Sequence, residues 1–187
     1  MFRILVSVFL LFLAACSSPP EAARDGDHGP EIAALTQSIL DLGPGIDPEE
    51  AARAAQIAYE YTDTLKARYE ITDPPLVHNT KVNAGLRPRG LCWHWATDIE
   101  ERMNQENFQT LTMHRAIANA FNPILIDHST AIIGRAGDAW DDGIVLDPWR
   151  YGGILHWDQV AEDTRYPWEH REQVHARWNE LQVTRGR

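Results

Sequence analysis

The sequence predicts an α+β fold: helices lead, an antiparallel sheet follows, and one helix carries a cysteine against that sheet. Three patterns carry this expectation. Ala51, Ala54, Ala58, Tyr61, Leu65 and Tyr69 recur at helical spacing after Asp47-Pro48-Glu49-Glu50. Cys92, Ala96, Ile99 and Met103 repeat that spacing after a loop rich in proline and glycine. From Gln109 the period changes to alternation, with Leu111, Met113 and Ile117 on one side and Thr110, Thr112, His114 and Ala116 on the other, which is the period of a strand.

Residues 1–15 read as an export signal. Arg3 precedes an apolar run interrupted only by Ser7, too short to span a membrane. Small residues, Ala14 and Ala15, then precede Cys16. Residues 16–30 are polar with proline and glycine, the composition of a flexible tether, and His28 falls there as a solvated side chain. Residues 31–187 form one domain, long enough for a real core.

Within that domain a short helix is expected over 31–42, ended by Gly43-Pro44-Gly45. Asp47 caps the next helix, Pro48 suits its first turn, and Glu50 stands where a capping box places its acid. Residues 71–89 are expected as loop, because Asp73-Pro74-Pro75 interrupts any helix. After the Cys92 helix come strands over 109–118, 124–135 and 143–146, with a turn at Asn122-Pro123 and an acidic hairpin over 137–143. Residues 157–163 and 168–181 read as C-terminal helices.

A formal net charge of −10 argues against nucleic acid and against a polybasic membrane contact. It serves solubility. Two cysteines are present, and if Cys16 is modified Cys92 has no disulfide partner. A single thiol in an oxidising compartment is a liability unless buried or used.

Cys92 opens a helix, where the dipole favours thiolate. That helix terminus contributes about 0.3–1 kcal/mol, whereas a strongly acidified thiol needs roughly 6 kcal/mol. A nucleophilic cysteine here therefore requires a cationic partner. His128 on the second strand is the candidate base, with His114 on the preceding strand as its rival. Asp147, at the end of the third strand, is the candidate to orient the imidazole, with Asp127 as its rival. Cysteine supplies the nucleophile, histidine moves the proton, and a carboxylate fixes the tautomer. The Cys92 N–H and, from the preceding loop, Asn83 are the oxyanion candidates. His94 faces away from Cys92 on the helix and reads as packing or solvated. Among the seven tryptophans, Trp149, beside Asp147, is the candidate for a substrate slot. Cys92, His94, His128 and Asp147 are also zinc-ligand types, but no Cys-x-x-Cys or His-Glu-x-x-His spacing occurs, so no metal or other cofactor is expected.

Gly90-Leu91-Cys92-Trp93-His94-Trp95-Ala96 follows a Gly-x-Cys-x-x-x-Ala pattern, with His128 and Asp147-Pro148-Trp149 in order after it. Over about residues 80–160 the chain thus resembles the transglutaminase-like superfamily of cysteine enzymes. Ser129-Thr130 follows the histidine where that family often has a tryptophan. The resemblance implies a papain-like core, with Cys92 as nucleophile, His128 as base and Asp147 as its orienting acid. It implies peptidase, amidase or acyl-transfer chemistry through a thioester. Leu13-Ala14-Ala15-Cys16 resembles a bacterial lipobox, and Ser17 resembles an outer-membrane sorting residue. That implies a lipidated Cys16, anchorage to the outer membrane facing the periplasm, and a peptide, protein or peptidoglycan-peptide substrate. The alternative is a non-catalytic binding or scaffold lipoprotein that keeps the same fold.

Overall fold

Asp47 opens the longest helix as its sequence predicts. The computed structural model describes residues 28–185; the export signal, the greater part of the tether and Cys16 lie outside the described residues. Helices α1 (Gly29–Leu40) and α2 (Pro48–Arg68) form an antiparallel pair. Asp47 Oδ1 accepts the backbone N–H of Glu49 and Glu50 at 2.7 and 3.2 Å. Glu50 does something other than close a capping box. Its carboxylate accepts the N–H of Gln109 and Thr110 at 2.7 and 2.8 Å and the Thr110 hydroxyl at 2.6 Å. The same hydroxyl oxygen accepts the Asp47 N–H at 3.0 Å. Burial opposes the Glu50 charge, but these donors together hold its carboxyl below the usual range. The α2 face built from Ala51, Ala54, Ala55 and Ala58 is fully buried, and its small side chains let Leu35 and Ile39 of α1 pack closely.

The tether ends earlier than expected. His28 is largely buried, its Nε2 is 2.8 Å from Asp63 Oδ2, and its ring lies 5.0 Å from that of Tyr59. A carboxylate and an aromatic face on α2 thus hold the residue expected to be solvated.

Residues 71–89 are not all loop. Helix α3 (Pro75–Asn83) begins at Pro75, because proline at the first helical position gives up only an N–H that has no helical partner anyway. Helix α4 (Cys92–Asn104) follows, with Trp95, Ala96, Ile99 and Met103 buried.

Strands β1 (Leu111–Ala118), β2 (His128–Arg135), β3 (Ile144–Asp147), β4 (His156–Gln159) and β5 (Trp168–His170) make one antiparallel sheet in the order β4-β3-β2-β1-β5. Two expected helices are corrected here. Residues 157–163 supply an edge strand and a turn, and helix α5 (Arg171–Arg185) begins only after the three-residue strand β5. Such short edges show too little periodicity to be told from helix, and pairing with β3 and β1 decides their conformation. Residues 124–127 are likewise exposed loop rather than strand. An α+β architecture is therefore present.

The sheet's two faces are differently covered. Leu111, Ala131, Ile133, Ile144 and Leu146 meet α2 and α4 in the main core. Ala116, Ile132 and Val145 on the other face are covered by Val160, Trp140 and Trp168. His128 begins β2 and Asp147 ends β3, and since the two run antiparallel both stand at one end of the sheet. Alternation puts both on the Ile132 and Val145 face.

Candidate active site

The turn that delivers Cys92 is fixed from three sides. Gly90 has φ 121°, and a Cβ there would lie 2.4 Å from His78 Nε2, so glycine is required. His78 is buried and holds the Arg89 carbonyl at 2.8 Å. His94 Nδ1 accepts the backbone N–H of Gly90 and Leu91 at 3.1 and 3.2 Å, and Trp95 Nε1–H donates to the Gly90 carbonyl at 3.1 Å. An imidazole that accepts at Nδ1 must be neutral there. Burial, and then the Arg89 charge, push the His94 pKa down to about 4. His94 does point away from the thiol, but it points into the loop and caps it.

Cys92 is the first residue of α4 and is 8% exposed. Its Sγ lies 3.7 Å from the Asp127 carbonyl. His128, 1% exposed, is tied by Nε2 to Asp147 Oδ2 at 2.7 Å. Its Nδ1 is buried without a hydrogen-bond partner among the described residues, and Cys92 lines the same cleft as His128. With Nε2 taken, Nδ1 is the atom left to face the thiol. Burial disfavours the His128 charge, yet the Asp147 charge and hydrogen bond, with a smaller contribution from Cys92, raise its pKa to about 9.

Asp147 is itself held on both oxygens. Oδ1 accepts the Arg150 backbone N–H at 3.2 Å, and Oδ2 accepts Arg150 Nε–H at 2.9 Å. Arg150 then forks onto Asp163 at 3.1 and 2.5 Å, and Asp163 accepts Trp168 Nε1–H at 3.0 Å. Against burial, the His128 charge and the Arg150 guanidinium keep the Asp147 carboxyl below its ordinary range. The rings of Tyr166, Trp149 and Trp168 stand 4.5, 4.7 and 5.3 Å from that of His128 and shield it from water.

Two clefts meet at His128. One, of about 370 Å³, exposes Cys92 between Trp93 on α4 and Trp178 on α5. The other, of about 550 Å³, lies beyond the imidazole and is lined by Trp149, Tyr166, Leu76 and the aliphatic run Ile124-Leu125-Ile126. Trp149 therefore borders a slot, with its Nε1–H on Asn79 Oδ1 at 3.0 Å.

The structure brings Cys92, His128 and Asp147 together and leaves three other candidates aside. His114 pairs with Ile132 in the β1–β2 register, while Ala118 is opposite His128. That puts His114 four residues along the strand, about 13 Å away, where it borders a separate cleft with His170 and Trp140. Asp127 is exposed at the cleft rim and touches Cys92 only through its backbone carbonyl. Asn83, the other oxyanion candidate, ends α3 in an exposed position and lines neither cleft at the triad. The helix it belongs to was unforeseen, and its direction carries the side chain away. The Cys92 N–H keeps its place, since the first N–H groups of a helix have no carbonyl within it.

Sequence reasoning missed Arg150, Asp163 and Tyr166. The signal for Arg150 was its spacing, three residues after Asp147 on a tight turn, where a guanidinium reaches back to a carboxylate. Among the described residues no three His, Cys, Asp or Glu side chains group as metal ligands, and no helix is long and apolar enough to cross a membrane. Comparison of the chain with protein-family models, curated proteins and solved structures finds no match.

Proposed function

We propose that the chain is a cysteine hydrolase or acyltransferase that acts on amide bonds through a Cys92 thioester, on a papain-like, transglutaminase-like core. One observation carries this reading: a buried imidazole bound through Nε2 to a buried carboxylate, with Nδ1 unpartnered beside a thiol at a helix start. The proton shared by Cys92 and His128 rests on His128 Nδ1 at neutral pH, and the Cys92 sulfur attacks the amide carbon. The Cys92 N–H meets the oxyanion. His128 returns the proton to the departing amine, leaving a thioester. Water then adds, His128 takes its proton, and the C–S bond breaks to release a carboxylic acid and the thiol. An amine in place of water yields a new amide instead.

The lipobox-like Leu13-Ala14-Ala15-Cys16 supports an envelope protein anchored through lipid on Cys16 in the outer membrane. Its substrates there are peptides, proteins or peptidoglycan peptides. The test is the rate of iodoacetamide modification at Cys92 near about pH 6.5, read by mass spectrometry. The folded protein reacts at least about tenfold faster than the unfolded chain, and His128→Gln loses that gain. A folded rate at or below the unfolded one favours the non-catalytic scaffold instead.

A further inference from the structure

The cleft that exposes Cys92 carries more positive charge than an acidic protein needs. The chain has a formal charge of −10, yet this cleft is walled by two arginines, Arg115 and Arg171. We propose that it is an anion subsite that receives a carboxylate of the acyl substrate beside the scissile bond, an inference that rests on Cys92 being the nucleophile.

Arg115 projects from β1 and is 5% exposed. Its Nη1 donates to Thr97 Oγ1 and Glu100 Oε2 at 3.0 and 3.1 Å, its Nε to the Thr130 carbonyl at 3.3 Å, and its Nη2 to Ser129 Oγ at 3.3 Å. A guanidinium has five N–H groups, so one on Nη2 remains for a ligand. Among the described residues Arg171, the first residue of α5, makes one ion pair, to the same Glu100 oxygen at 3.9 Å. One carboxylate therefore serves two guanidiniums. Among the described residues the acid that lines the cleft is Asp127, which is exposed, so water screens its charge far more than that of buried Arg115. His175 adds a further donor on the α5 side. A forked cation with a free N–H, a second cation on the same cleft and the Thr97 and Ser129 hydroxyls in its wall match the two oxygens of a carboxylate. An acidic side chain and a free chain terminus both present that group.

The test compares two alkylating reagents of nearly equal shape. Iodoacetate carries a carboxylate where iodoacetamide carries an amide. Their rate ratio at Cys92 of the full chain is divided by the ratio for a small free thiol. The expected preference for iodoacetate is about fivefold or more at low ionic strength and fades as salt rises. Arg171→Gln removes most of it, while Arg68→Gln, the same charge change at the far end of α2, keeps it. A normalised ratio near one overturns the subsite. So does a preference that survives Arg171→Gln undiminished, because Arg171 would then be no part of the attraction and the two-cation subsite would not exist. Slow reaction with iodoacetamide together with a retained, Arg171-dependent preference overturns the nucleophile reading, and with it the acyl substrate, while the anion site itself stands.

Discussion

Arg150 Nε donates to the same oxygen of Asp147, Oδ2, that is bound to His128. The acid thus holds the imidazole and is itself held by a guanidinium whose other edge is forked onto Asp163. The orientation of His128 therefore depends on residues well outside the three that do the proposed chemistry.

Removing that guanidinium leaves two buried carboxylates without their partner. Arg150→Met is expected to destabilise the fold by about 3–5 kcal/mol, measured as a shift of the urea midpoint. Asp163→Asn keeps the shape but loses the charge, and is expected to cost less while still slowing alkylation of Cys92.

Cys92→Ala is expected to abolish turnover and thioester formation, read as the loss of any acylated mass on incubation with peptide amides. Its urea midpoint should stay close to that of the parent near neutral pH, since a single sulfur atom is lost, its hydrogen bond to the Asp127 carbonyl is long at 3.7 Å, and it gives only the smaller part of the His128 stabilisation.

Stability should fall on both sides of neutral pH. His128 is raised to about 9, so it binds its proton more tightly folded than unfolded. Its contribution is complete below about pH 6.5 and is lost as pH climbs through about 9. His94 is lowered to about 4, so the unfolded chain binds the proton first. Its contribution is complete above about pH 6.5 and is lost as pH falls through about 4. Urea midpoints measured across this range should form a dome. His128→Gln should flatten the alkaline limb, and His94→Gln the acid limb.

Gly90→Ala puts a methyl group onto the His78 ring and strains a positive φ. The expected cost is about 2 kcal/mol or more, with slower alkylation because the turn into α4 must shift. An unchanged melting temperature and rate would mean the turn tolerates the methyl.

The three residues at the centre were readable because each has distinctive chemistry at a readable place: a thiol at a helix start, a histidine within the second expected strand, an aspartate before a proline. Their supporters were not. Arg150 and Asp163 are common residues in a turn and a loop, and only the return of the chain over the sheet brings them to Asp147. The proline pair at 74–75 reads equally as the end of one helix or the first turn of another, and α3 took the second course. Strands β4 and β5 are four and three residues long, so the neighbouring strands, not their own pattern, decide them. His94 was readable as turned from the thiol, but its role as a cap depends on the path of the loop it meets.

Glu50 binds Thr110 across 60 residues of sequence, and between them lie α3, α4 and Cys92. That contact closes a large ring of chain around the Cys92 helix, and the entropy of closing such a ring grows only slowly with its length. Opening either end releases the other. The first turn of α2 and the first residues of β1 should therefore exchange their amide protons as a single cooperative unit, with α4 locked inside it.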